Sequence, residues 1–150
     1  MPGSYLHGYD SQGQEPGALP ADISQQSPSL YGAQGAMIST TADLDRFITA
    51  LFRGRLLAPA QLDEMFTIPA GASGPFRYGM GLLSYTFPNG VTVWGHTGET
   101  PGYATGVLAT RDLTRTLAFA LTPVEPANGN QVLATEITIA QAAYDPPPGG

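Results

Sequence analysis

The chain has 150 residues, with twelve acidic residues, six arginines, no lysine and no cysteine, giving a formal net charge of −6. Scattered arginines on an acidic chain argue against nucleic acid as a partner, because phosphate binding draws on clustered Lys and Arg, and without cysteine there is neither a disulfide framework nor a thiolate metal site. Charged residues make up 12% of the chain against roughly 25% in an average domain, while 19 glycines, 14 prolines and 42% hydrophobic residues describe a loop-rich sequence that can still build one core.

Residues 1–34 carry Gly, Pro, Ser and Gln without a sustained apolar period of 2 or 3.6, which predicts an extended loop. A loop of that length is functional, flexible or packed on something outside the chain. The amino terminus has no basic start followed by an apolar run, so no signal peptide is expected, and no stretch approaches the roughly 20 apolar residues of a membrane span. From Ser39 the pattern changes. Thr40 can cap, Asp43 follows three residues later, and Leu44, Phe47, Ile48, Leu51 and Phe52 recur at helical spacing. Gly54 suits the stop, and Pro59 suits the first turn of a second helix with Leu62, Met65 and Phe66 on its apolar face.

Strands are expected over residues 78–87, after a Pro88-Asn89-Gly90 turn over 91–96, then over 103–110 and 116–122 around Arg111-Asp112-Leu113. A last helix starts at Asn128 or Asn130 and places Leu133, Ile137, Ala140 and Tyr144 on one face. Residues 145–150, rich in Pro and Gly, read as a flexible tail. The expected fold is α+β, with an antiparallel sheet of three to four strands, a carboxy-terminal helix and part of a helical region.

The densest group of unusual residues runs from Trp94 through Gly95, His96, Thr97, Gly98, Glu99, Thr100, Pro101 and Gly102 to Tyr103. His96 and Thr97 set a titratable imidazole beside a hydroxyl, and alternation along a strand sends them to opposite faces. The plain alternative is a glycine-rich strand end with an exposed histidine. His7 reads as a surface residue. Asp43 and Asp45 sit in the first turn of a helix, where capping accounts for them. Trp94 and Tyr103 either border a cleft or pack on the sheet. No spacing of histidines and carboxylates suggests a metal site, and no cofactor is expected.

Three blocks in order, Gly35 to Phe47, Tyr78-Gly79-Met80-Gly81-Leu82, and Gly95-His96-Thr97-Gly98 with Pro101-Gly102-Tyr103, together resemble the penicillin-recognising serine hydrolases. That family includes class C β-lactamases, D-alanyl-D-alanine carboxypeptidases and related esterases and peptidases. The resemblance implies a β-lactamase/transpeptidase-like fold over residues 35–144, present only in part, and acyl transfer through a serine acyl-enzyme. It would put His96 in the proton network or the electrostatics around the substrate, Thr97 on a substrate carboxylate, Gly98 against the substrate, and the amide of Glu99 in an oxyanion hole. Small-molecule or peptide acyl compounds are the implied substrates, and the cell envelope or exterior the implied location.

A chain without lysine cannot hold the family's Ser-Xaa-Xaa-Lys motif, and no Tyr has Asn two residues later. Both motifs precede the His-Thr-Gly strand in the family, so the sequence reads as the carboxy-terminal segment of a longer hydrolase, inactive alone, whose amino-terminal half is elsewhere. Leu83 stands where carboxypeptidase members carry an arginine, and Glu99 where they often carry threonine; both weaken the case for peptidoglycan stems, so that the implied type is a D-Ala-D-Ala carboxypeptidase, an esterase or a D-aminopeptidase, with the last two left open by these changes. The alternative is a non-catalytic module that keeps one cleft wall to bind a ligand or partner.

Overall fold

The structure is a computed structural model that describes residues 5–10, 18–33, 35–122 and 129–145. Helix α1 (Thr41–Phe52) begins as its sequence predicts. The Thr40 hydroxyl accepts the Asp43 amide at 3.1 Å and donates to the Asp43 carboxylate at 3.0 Å, closing a reciprocal cap. Ile48, Leu51 and Phe52 then turn inward on one face. Helix α2 (Pro59–Met65) starts on its proline and buries Leu62 against them. Behind it, Phe66 stands edge-on between Phe52 and Trp94, with ring centroids 4.8 and 5.0 Å away. The Arg111 guanidinium covers the outer side of Phe66 at 3.5 Å while pairing with Asp63 at 3.2 Å.

The main sheet is antiparallel and in chain order: β3 (Phe76–Tyr78), β4 (Leu83–Thr86), β5 (Thr92–Thr100), β6 (Tyr103–Thr110) and β7 (Thr116–Leu121). It has five strands, not three or four, because the strand expected over 78–87 is two. The Gly79 amide donates to the Leu82 carbonyl at 2.9 Å and Gly81 takes a φ of 78°, so the chain reverses and Tyr78 pairs with Leu83. A period-2 reading of an apolar run does not register that reversal, whereas a left-handed glycine permits it. The Asn89-Gly90 turn forms as expected, closed by the Phe87 amide on the Val91 carbonyl at 2.9 Å.

Each face of the sheet has its own core. Leu82, Trp94, Val107 and Ala109 meet α1 and α2. Phe87, Val93 and Leu108 meet Ala140 and Tyr144 of α3 (Gly129–Tyr144). On α3 the expected inward face is present at Ala140 and Tyr144, but Val132 and Glu136 are buried too, and Leu133 lies at the margin, 39% exposed. The helix is tied down at its carboxyl end, where the Tyr144 carbonyl accepts from Arg115 at 2.9 Å and from the Asn89 side chain at 3.1 Å. Of the tail expected over 145–150 only Asp145 is described, its amide donating to the Gln141 carbonyl at 2.8 Å and its carboxylate accepting from Asn89 at 3.1 Å; Asn128 and residues 146–150 lie outside the described residues.

The opening segment contains two two-residue strands, β1 (Tyr9–Asp10) and β2 (Ala21–Asp22), paired antiparallel, and a 3-10 turn at Pro28–Tyr31. This small hairpin lies across the turn that joins β5 to β6. The Tyr103 hydroxyl donates to the Leu6 carbonyl at 3.1 Å, and Gly8 rests on the Tyr103 ring, where a Cβ would come within 2.2 Å of a ring carbon. Among the described residues no helix is long and apolar enough to cross a membrane.

Candidate active-site strand

Strand β5 carries the histidine motif and occupies the middle of the sheet. β6 pairs with it along nearly its whole length, Val93 to Thr100, with His96 opposite Val107, Thr97 opposite Gly106 and Gly98 opposite Thr105. β4 pairs with it only from Thr92 to Gly95. Residues 96–100 therefore extend past the end of β4 with one backbone edge free of any described strand. In an antiparallel ladder every second residue turns its amide and carbonyl to the far side, so this edge presents donors and acceptors to whatever lies alongside. Gly95, at the point where β4 ends, has a structural reason to be glycine: a Cβ there would lie 1.9 Å from the Val107 carbonyl oxygen.

The side chains separate as strand alternation requires. His96 is exposed, on the face that carries Trp94 two residues earlier, and its ring centroid lies 5.8 Å from that of Tyr78. Its Nδ1 stands 2.5 Å from the Thr97 carbonyl oxygen. A carbonyl only accepts, so Nδ1 carries the proton and Nε2 of the neutral ring is left as a base or acceptor. Thr97 turns to the other face, into a cavity beneath α3. Gly98 and Glu99 are exposed, and Glu99 stands close enough to Glu136 of α3 for its charge to act on that carboxyl.

Among the described residues no serine hydrogen-bonds to the His96 imidazole. Ser84 is buried on β4 opposite Trp94, its hydroxyl without a hydrogen-bond partner. Ser24 belongs to a different cluster that sequence reasoning missed, since its members are separated along the chain. His7 Nδ1 lies 2.7 Å from one Asp22 carboxylate oxygen, and the Ser24 hydroxyl donates to the other at 2.5 Å while accepting the Gly8 amide at 3.0 Å. Hydrogen bonds from the Ser24 hydroxyl and amide, and then from His7, lower the Asp22 carboxyl to about 2. Here the carboxylate stands between serine and histidine. With no imidazole to take its proton, this serine is a strut of the hairpin and not a nucleophile. His7 is thus a fastened residue, stacked on Tyr5 at 4.9 Å, although its side chain is half exposed. Among the described residues no group of His, Asp and Glu could hold a metal ion.

Comparison with known proteins gives this arrangement its class. The chain matches the sequence model of the beta-lactamase family over residues 3–142. A D-stereospecific amidohydrolase from a Streptomyces species is 32% identical over 96% of this chain, with a TM-score of 0.76. A D-amino acid amidase from Ochrobactrum anthropi SV3, solved with D-phenylalanine, is 26% identical over 70% of this chain, with a TM-score of 0.50. An antiparallel sheet with helices on both faces and a His-Thr-Gly strand through its middle is thus the frame of a penicillin-recognising serine hydrolase. The chain belongs to the beta-lactamase family. It spans 40% of the length of the Streptomyces amidohydrolase and 37% of that of the amidase.

Proposed function

We propose that this chain is the carboxy-terminal segment of an acyl-transferring serine hydrolase and supplies the strand wall of its active site. The observation that carries the reading is the free edge of residues 96–100, which lies beside an exposed imidazole whose Nε2 is unoccupied. A substrate backbone laid along that edge would exchange hydrogen bonds with the strand, as an added strand does. In this reading His96 takes part in proton transfer or in the electrostatics of the site, Gly98 and the backbone of Thr97, whose side chain is on the other face, bind the substrate, and the Glu99 amide donates to the oxyanion. The serine and its lysine come from the amino-terminal half, which in the parent protein precedes this segment.

The names of the two amidohydrolases favour D-amino acid amides, with esters second, over D-Ala-D-Ala stems. Leu83, whose buried side chain offers no cation to a substrate carboxylate, supports the same order. Export to the envelope or beyond fits family members that act there. The test is turnover of D-phenylalaninamide, nitrocefin and a short nitrophenyl ester. The isolated chain should give none, and a mixture with a separately produced amino-terminal segment bearing Ser-Xaa-Xaa-Lys should hydrolyse the amide. Serine-dependent turnover by the chain alone, or a complemented enzyme indifferent to His96→Ala, would overturn the assignment.

A further inference from the structure

Tyr78 ends β3 beside the point where the sheet opens. It pairs with Leu83, and Leu83 pairs with Gly95, so the next residue of β5, His96, is the first without a partner on β4. The backbone that carries Tyr78 is firmly held. The Gly79 amide donates to the Leu82 carbonyl at 2.9 Å, and Gly79 presses so closely on the end of α2 that a Cβ would lie 2.1 Å from the Met65 carbonyl oxygen.

The Tyr78 side chain is 51% exposed, and its ring neighbour is the His96 imidazole, 5.8 Å away between centroids and tilted by 55°. Phe76 and Tyr85 pair with each other at 4.9 Å, and Tyr85 with Phe87 at 4.8 Å, so these rings are satisfied without Tyr78. Among the described residues the Tyr78 hydroxyl has no hydrogen-bond partner. The contact with His96 is therefore made by the ring and not by the hydroxyl.

An exposed histidine turns freely about its side-chain bonds, and ordering it costs entropy. One hydrogen bond, from Nδ1 to the Thr97 carbonyl at 2.5 Å, is a light tether at a protein surface. A tilted ring pair with centroids 4.5 to 7 Å apart adds a factor of about two to ten. Both contacts belong to the same orientation of the imidazole, so each lowers the entropic cost of the other.

We propose that Tyr78 is a positioning residue for His96: its ring keeps the imidazole in the orientation where Nδ1 donates to Thr97 and Nε2 stays bare at the open edge. The inference rests on the reading of His96 as a group of the strand wall that handles a proton or sets the local field. Tyr78 itself exchanges no proton. A tyrosine that only covered the edge of the sheet would leave the imidazole tautomer unchanged on removal.

The experiment records ring-nitrogen shifts of His96, and NOEs to its ring protons, in the whole chain at about pH 8.5, above the ordinary histidine range. In the native chain the Nδ1–H tautomer should predominate and NOEs should join the imidazole to the Tyr78 ring. Tyr78→Phe should keep both. Tyr78→Leu should move the tautomer ratio by about twofold to tenfold toward Nε2–H, which an untethered ring prefers. Should the leucine variant fail to fold, Tyr78→Val, with its stronger strand preference, replaces it, and the native NOEs still decide. A ratio unmoved by removal of the ring, a loss in Tyr78→Phe as large as in Tyr78→Leu, or no NOE in the native chain would each overturn the proposal. The readout needs no turnover, so an unmoved ratio counts against Tyr78 alone, whereas a chain that never complements an amino-terminal segment counts against the acyl-transfer reading alone.

Discussion

The Tyr144 hydroxyl donates to the Leu108 carbonyl at 2.9 Å, joining the last turn of α3 to the middle of β6 inside the core. Tyr144 is 1% exposed, its ring stacks on Phe87 at 5.6 Å, and burial pushes its phenol up. Removing only the hydroxyl, in Tyr144→Phe, should cost about 1 kcal/mol, the usual net worth of one such bond. Tyr144→Ala should cost about 3–5 kcal/mol, as large aromatic truncations in a core do. Urea denaturation of the two variants separates the hydrogen bond from the packing. Equal losses would mean that the ring contributes nothing.

Gly95→Ala tests the close approach of β5 to β6. The new Cβ would meet the Val107 carbonyl oxygen, which belongs to backbone and cannot swing aside. Destabilisation of about 1–3 kcal/mol or more is expected, the range of overpacked interiors, with amide exchange raised across both strands. Gly98→Ala, whose Cβ would stop 3.3 Å from a movable Thr105 hydroxyl, should cost clearly less.

Glu136 carries a pH signature of defined sign. Its carboxyl is raised in the folded chain, so the folded state holds the proton more tightly than the unfolded state, and stability falls as pH rises from the ordinary glutamate range through the folded value. Glu136→Gln should therefore raise the melting temperature at pH 7, and the gain should shrink on acidification toward pH 4. A gain that grows with acid would contradict the burial of an uncompensated charge.

Asp22 runs the other way. Its carboxyl is lowered to about 2, so its contribution is present above the ordinary aspartate range and is lost as pH falls from about 4 toward 2. The hairpin of β1 and β2 should loosen in that window, seen as faster proteolysis between residues 5 and 24 while the sheet stays protected. Asp22→Asn should loosen the hairpin at neutral pH, and Gly8→Ala should lift it from the Tyr103 ring.

Local chemistry was legible in the sequence. Thr40 with Asp43 and the spacing of Ile48, Leu51 and Phe52 specify α1, and Asn89-Gly90 specifies a hairpin, because each signal lies within a few residues of what it shapes. His96, Thr97, Gly98 and Glu99 likewise stand out as candidates from their own neighbourhood. Relations across the chain were not legible. The reversal at Gly81 sits inside an apolar run that looks continuous, and the free edge of residues 96–100 depends on where β4 stops. The groove beneath α3 depends on how side chains from five strands and the helix meet, and Glu136 looks like any other helical glutamate until the sheet is placed under α3 and buries it.

The anchoring of α3 is lopsided. Asn89, Arg115 and Leu108 grip its final turn, while Leu133, near the opposite end, is 39% exposed. A rod clamped at one end pivots there. The early turns of this helix should therefore exchange their amide protons faster than the turn that carries Tyr144.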